Sequence, residues 1–474
     1  MPDRVFCIDF GSAFTKVALR RDPGADSELV GCRDADAEFC VPSTMALDRR
    51  GAKAVPEFGL RAADLESGGG VEVYRNLKKT IFSSPDAAAG SAFPLEKLLA
   101  SDDLATLATK YGVSSGQLTS LRQMVAGARS LVGYSGGASA KTREQATAAA
   151  LLSHFFYWLR KQVLEACEKL PTSGLKFEDI PVRIAVPAFA HGKDLETHPG
   201  CKVLTDALGK VGWVPHPDRP VVSEPYSNAI GVLTKASNAL HRSRVHLGTM
   251  FGKGPLITVL KDAAHYPSYR ALVIDVGAFT TDFAAITLKP GPEAVANPDV
   301  AFTTAQHSVP VGVSTLDEAF QTGLLKEKAA WLGKAKSREW ETVRRSVYTD
   351  GKGFRVPGLG AVLGGAADEE LVKTCLAEFG GKLAVEVEKF CDALDPAGLQ
   401  ELILTGGGCS IPRVRDALQA AAQANGRTFT KTHAPALKRT TGGPQVVKLD
   451  ERFARGGSAL GGASVYFERE FYAK

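Results

Sequence analysis

The chain has 474 residues, 44% hydrophobic and 23% charged, which is enough apolar material for two or more cored domains and too much for a disordered chain. The formal net charge of +5 is small for this length, and Lys and Arg are interspersed with acids, so no nucleic-acid partner is expected. No run approaches about 18 uncharged apolar residues, and the amino terminus enters a strand at once with no charged apolar leader, so the expectation is no membrane partner and a cytoplasmic location.

The first element is Val5-Phe6-Cys7-Ile8-Asp9-Phe10-Gly11-Ser12-Ala13-Phe14-Thr15-Lys16-Val17-Ala18, an apolar strand that reaches an Asp, turns through Gly and small residues, and resumes as a second strand. About half a chain later, Ala271-Leu272-Val273-Ile274-Asp275-Val276-Gly277-Ala278-Phe279-Thr280-Thr281-Asp282-Phe283 repeats it. Gly11, Ser12 and Ala13, and likewise Gly277 and Ala278, let backbone N–H groups approach an anion, while Asp9 and Asp275 can hold a cation directly or through water. One such motif is a weak signal, since a plain turn has the same composition. Two of them suggest two similar lobes that each offer a turn to one polyphosphate, with a nucleotide as the natural guest.

Between the hairpins, residues 142–168 carry apolar side chains at helical spacing, and the aromatics in His154-Phe155-Phe156-Tyr157-Trp158-Leu159 are expected in the first lobe's core. Two long stretches, about 83–145 and 236–268, read as insertions, which usually lie on the surface and carry partner contacts. Near the end, Leu402-Ile403-Leu404-Thr405 closes a strand, Gly406-Gly407-Gly408-Cys409-Ser410 turns, and Ile411-Pro412-Arg413-Val414 opens a helix. Glycines at such a turn let a purine or ribose lie on the backbone, although an ordinary strand-to-helix turn reads the same way. The eight cysteines are scattered, without Cys-x-x-Cys or a nearby His at metal spacing, and are expected as reduced thiols.

First hairpin, second hairpin and glycine loop, in that order, resemble the superfamily of actin, sugar kinases and heat-shock chaperone ATPases. Within it the chain is most similar to the nucleotide-binding domain of the seventy-kilodalton heat-shock chaperones, the DnaK type. Shorter segments carry the likeness through nearly the whole chain: Val41-Pro42-Ser43-Thr44, Asn76-Leu77-Lys78-Lys79-Thr80-Ile81, Arg183-Ile184-Ala185-Val186-Pro187-Ala188-Phe189, Val222-Ser223-Glu224-Pro225, Glu341-Thr342-Val343-Arg344-Arg345 and Arg452-Phe453-Ala454-Arg455-Gly456-Gly457. No apolar linker or β-rich peptide-binding domain of the chaperone kind follows the closing helix, so peptide clasping in the chaperone manner is not expected.

The resemblance implies an α/β chain of actin-like fold, two similar lobes with a duplicated ribonuclease H-like motif around a nucleotide cleft. The first lobe would span 1–235, an insertion 236–268, the second lobe 269–445 and a closing helix 446–474. It also implies ATP or ADP with Mg2+. Asp9 and Asp275 would hold the metal through water, Glu224 would orient or deprotonate the attacking water, Lys78 and Lys16 would contact phosphate, and Thr280 with Asp282 would complete the phosphate side. Gly312 stands in the loop that approaches the terminal phosphate. Glu341, Arg344 and Arg345, with Gly406, Gly407, Gly408 and Ser410, stand where the chaperones hold adenosine.

This sequence departs from that pattern at four places. Ala278 and Phe279 replace glycines in the second turn, Thr15-Lys16 follows the actin pattern, Ser410 replaces the Arg that flanks adenine, and the Gly-Gly loop retains only Gly312. The expectation is a slow ATPase that acts as a switch on a protein partner or co-chaperone through the insertions. An actin-like filament subunit, a small-molecule kinase and a nucleotide-binding pseudoenzyme are the alternatives.

Overall fold

The computed structural model describes residues 4–21, 27–32, 39–51, 55–66, 68–82, 140–168, 176–188, 195, 198–231, 269–288, 302–394, 399–435, 445–449 and 451–463. The insertion readings at 83–139 and 236–268 lie outside the described residues.

The chain is mixed α/β. In its first half lie strands β1 (Val5–Phe10), β2 (Phe14–Arg20), β3 (Glu28–Leu29), β4 (Val41–Pro42), β5 (Met45–Asp48), β6 (Val55–Phe58), β7 (Val71–Tyr74), β8 (Pro181–Val186), β9 (Val214–Pro215) and β10 (Val221–Ser223). The second half holds β11 (Tyr269–Val276), β12 (Thr281–Leu288), β13 (Phe302–Val309), the small hairpin β14 (Phe354–Arg355) and β15 (Val362–Leu363), β16 (Leu399–Thr405), β17 (Lys431–Ala434) and β18 (Gln445–Lys448).

The two principal sheets repeat one plan. The first runs β3-β2-β1-β8-β10 and the second β13-β12-β11-β16-β17, with β18 added at the edge. In both, the two pairings that precede and include the central hairpin are antiparallel and the next two are parallel. Parallel neighbours need a crossover, and helices supply it at matching places. Ala140–Cys167 precedes β8 as Glu369–Asp392 precedes β16; Pro199–Lys210 joins β8 to β10 as Pro412–Gln423 joins β16 to β17.

Alternation along the strands separates two outer cores from one inner layer. Phe6, Ile8 and Phe10 of β1 pack outward with Phe155, Phe156 and Trp158 of the long helix. The ring centroids of Phe10 and Phe156 lie 5.4 Å apart. His154, on the same helix, is held neutral because burial lowers its pKa to about 4. Leu272, Ile274 and Val276 of β11 pack outward into the second core with Phe283, Phe320 and Phe379. The inner faces carry Cys7, Ala18, Ala185, Ala271, Val273 and Ala284. These residues are mostly small, so helices can pack closely on them.

Two helices fill that layer, one over residues 224–231 and the closing helix Glu451–Gly462. They cross backbone to backbone: a Cβ on Gly461 would lie 1.7 Å from the Ser227 carbonyl oxygen, and one on Gly231 would lie 2.0 Å from that of Gly457.

Two boundaries differ from the sequence reading. The last segment, read as a closing helix over 446–474, first contributes β18, because the β-branched pair Val446-Val447 extends the sheet in parallel beside β17. The long helix starts at Ala140, inside the stretch assigned to the first insertion. Among the described residues, no helix is long and apolar enough to cross a membrane, and all eight cysteines are buried.

Gly461→Val should destabilise the fold by more than the roughly 1–3 kcal/mol of ordinary overpacking, because the clash is with backbone. Denaturant unfolding should show a lowered midpoint, and a Val tolerated without loss would contradict the close crossing.

Candidate functional site

The alternation that sends Phe6, Ile8 and Phe10 outward turns Asp9 inward, and it does the same for Asp275 on β11. Register completes the pattern: Asp9 lies opposite Lys16 on β2, and Asp275 lies opposite Asp282 on β12. Each hairpin closes in the same way, with Gly11 N–H donating to Phe14 O at 3.1 Å and Gly277 N–H donating to Thr280 O at 2.9 Å. The turns face a cavity of about 500 Å³ between the two halves, also bordered by Gly406, Gly407 and Ser410 of the glycine loop.

Every residue singled out from the sequence borders this cavity except Gly312 and Gly408. Gly312 sits behind the second turn, as the cap of helix Val313–Gly323. The next two amides brace that turn, Val313 N–H donating to Gly277 O at 3.0 Å and Ser314 N–H to Ala278 O at 2.8 Å, so they are spent on structure and not on a phosphate. Gly408 is a packing residue, since a Cβ there would meet Val276 Cγ1 at 2.3 Å. Its smallness serves the contact between the glycine loop and β11.

The first turn is braced similarly, by Ser43 N–H donating to Ala13 O at 2.9 Å and by a 2.8 Å bond between the Thr15 and Ser43 hydroxyls. Phe279, in a position where glycine was expected, borders the cavity and buries its ring with the first half's apolar core. It therefore ties the second turn to the opposite half. Further ties across the halves are Arg75, which donates to Ser337 Oγ at 2.9 Å and Ala335 O at 2.8 Å, and the exposed Lys79–Glu318 pair.

Ionic groups crowd the interior. Lys16 pairs with Asp9 at 3.0 Å, and Lys78 pairs with Glu224, both deeply buried. Asp282 accepts from Thr280 Oγ1 at 3.1 Å and from Ser308 Oγ, which itself accepts from Ala188 N–H at 2.8 Å. Asp275 accepts from Asn228 Nδ2 through one oxygen. Its other oxygen lies against the glycine loop: a Cβ on Gly406 would sit 2.0 Å from Asp275 Oδ1. Gly406 also adopts φ +83°, a left-handed conformation that favours glycine.

Four carboxylates thus face two ammonium groups. Burial, reinforced by Asp282 and Asp9 against the opposing Lys16, pushes the Asp275 carboxyl up to about 7. Burial likewise raises Asp282 to about 6, although Ser308, Lys78 and Thr280 oppose it. Glu224 is raised by burial against the pull of Lys78.

On the glycine-loop side, helix Ser337–Val343 runs into a π-helical turn, Arg344–Thr349, and such turns are frequent at functional sites. Arg344 borders the cavity with its guanidinium already engaged by Asp317, at 2.6 and 2.9 Å, and by Glu341. Arg345 and Thr349 border it as well. Lining residues not singled out from the sequence include Thr349, Ile411, Arg455 and Ser458. The last two lie three apart on the closing helix, a spacing that places both on one face, and this was the available signal.

Among the described residues, no group of three or more His, Cys, Asp or Glu could hold a metal alone. No protein-family model matches the chain, and no curated protein matches it.

Two outcomes follow from this geometry. Because the folded Asp275 and Asp282 keep protons that the unfolded chain releases near pH 4, their contribution to the stability of the ligand-free protein should fall as pH rises from about 4 to 7, while the buried neutral His154 contributes in the opposite sense. The amplitude should be on the order of a few kcal/mol. Thermal melts should show Asp275→Asn gaining stability relative to the wild type as pH rises through this range; parallel slopes would refute the assignment. Gly406→Ala should displace the Asp275 carboxylate, and a crystal structure of the variant with that carboxylate in its wild-type position would show the contact to be unimportant.

Proposed function

We propose that this chain is an ATP-binding, slowly ATP-hydrolysing nucleotide switch of actin-like fold, resembling the nucleotide-binding domain of the seventy-kilodalton heat-shock chaperones. The observation that carries this reading is the convergence on one cavity of two equivalent turns, each two residues past an inward Asp, from two sheets of the same topology. A turn repeated on both walls of a cleft suits a ligand with several negative groups in a row. The cavity volume, about 500 Å³, falls within the range of small-molecule sites.

The donor set suits Mg2+. Asp275 is held up in pKa by burial and by the charges of Asp282 and Asp9, and Asp282 by burial and by the charge of Asp9, a tension that a divalent cation relieves. Ser12 Oγ is buried at the cavity without a hydrogen-bond partner among the described residues, which suits a phosphate oxygen or metal-bound water. Mg2+ is usually held by one or two carboxylates through water and by the phosphates of its nucleotide, and Asp9 and Asp275 border this cavity. Bound there, Mg2+ supplies charge neutralisation and fixes the phosphate geometry.

The chain's own residues do the rest. Asp9 and Asp275 would hold the metal's water shell, and Lys16 and the Ala278 amide would cradle phosphate. A terminal phosphate competes with Glu224 for Lys78. Once Lys78 turns to that phosphate, the Glu224 carboxylate is free to orient a water for in-line attack and to take up its proton, while the bond to the ADP oxygen breaks. Adenosine would lie between the glycine loop and Glu341, Arg344 and Arg345, with Ser410 leaving one face of the base less covered. Burial of Phe279 in the opposite half supports slow opening of the cleft, which suits a switch read by a protein partner.

Phosphate release from magnesium ATP tests the reading. The wild type should bind ATP and release phosphate slowly, and Asp275→Asn or Glu224→Gln should lower release by roughly 100-fold, the order expected for lost positioning or proton transfer. A wild type that neither binds ATP nor releases phosphate would overturn it.

A further inference from the structure

We infer that Asn228 is a positioning residue for the divalent cation of this site, acting through Asp275; the inference rests on the nucleotide reading above. Asn228 lies one helical turn beyond Glu224, so both project from the same side of the helix over residues 224–231. The helix starts at the end of β10, and this alignment brings both side chains toward the seam between the two sheets.

The side chain of Asn228 is almost wholly enclosed, at 2% exposure. Its Nδ2 donates to Asp275 Oδ2 across the seam. Its Oδ1 is buried with no hydrogen-bond partner among the described residues. Leaving a buried amide oxygen unpaired costs roughly 1–3 kcal/mol, and a helix so tightly packed on its neighbour has little freedom to relieve it. An apolar residue would fit this place without that cost. The amide is therefore explained by what its other end does, which is to hold Asp275.

The second half of the geometry concerns Asp275. One of its oxygens is taken by Asn228 Nδ2 and the other rests against Gly406. The carboxylate is held at both ends, and its direction toward the cavity is set before any cation enters. Outer groups that orient metal-binding carboxylates in this way typically contribute 10–100-fold to metal affinity. Asn228 does not border the cavity itself, so it would touch no nucleotide atom and its effect would be confined to the metal.

The test is a magnesium titration of ATP binding, read by calorimetry with purified full-length protein, beside ATP binding in EDTA. Asn228→Ala removes the amide, and Asn228→Leu removes it while keeping its bulk so that the helix packing survives. Expected is a rise of roughly tenfold or more in the Mg2+ concentration at half-effect for both variants, with metal-free ATP affinity unchanged. An unchanged Mg2+ midpoint, or an equal loss of metal-free ATP binding, would overturn the inference, because either outcome makes Asn228 a packing residue. Failure of the wild type to bind ATP would instead remove the nucleotide reading, and the inference with it.

Discussion

Charge buried between two sheets is the constraint to which the rest of this molecule answers. Strand alternation sends large apolar side chains outward and leaves Asp9, Asp275 and Asp282 on inner faces, where solvent is scarce and like charges are close. Each is given a specific partner: Lys16 for Asp9, Asn228 for Asp275, and the Thr280 and Ser308 hydroxyls for Asp282. Lys16 and the two hydroxyls come from each carboxylate's own half, whereas Asn228 reaches Asp275 from the opposite half, so Asp275 keeps its partner only when both halves are assembled. The small inner-face residues, the glycine crossing and the buried Phe279 ring make that assembly close enough.

Much of this was legible in the sequence because it depends on short-range pattern. A period of two through Val5–Phe10 and Ala271–Val276 fixes which face each Asp occupies, and a turn motif repeated with the same offset implies a repeated architecture. The matching crossover helices follow from the same repetition. The long helix also declared itself through helical spacing, with Phe155, Phe156 and Trp158 as its core face.

What escaped depends on contacts across long sequence separations. Gly408 and Gly312 look like ligand glycines in a motif, yet close packing against Val276 and Ala278 demands the same absence of a Cβ. A glycine motif alone cannot separate the two causes. Phe279 was read within its own turn, whereas its ring is buried in a core built from residues more than 50 positions earlier. Asn228, Ser308 and Ala188 were not singled out as site residues; the Asn228–Asp275 and Ala188–Ser308 bonds form only when two sheets meet. The segment 446–474 was taken as one element because its glycine-rich helix dominates, and the short pair Val446-Val447 gains strand structure only from β17 beside it.

The crossing of the helix over residues 224–231 with the closing helix bears on how the two halves can move. Most packed helices mesh side chains like gear teeth, and sliding one past the other must unseat them in discrete steps. Where Gly231 meets Gly457 and Gly461 meets Ser227, the surfaces are bare backbone. Such a joint is a plain bearing. It resists separation, because there is no room for solvent, and it offers no ratchet against rotation, so the angle between the halves is governed at the rim of the cleft and by whatever lies inside it.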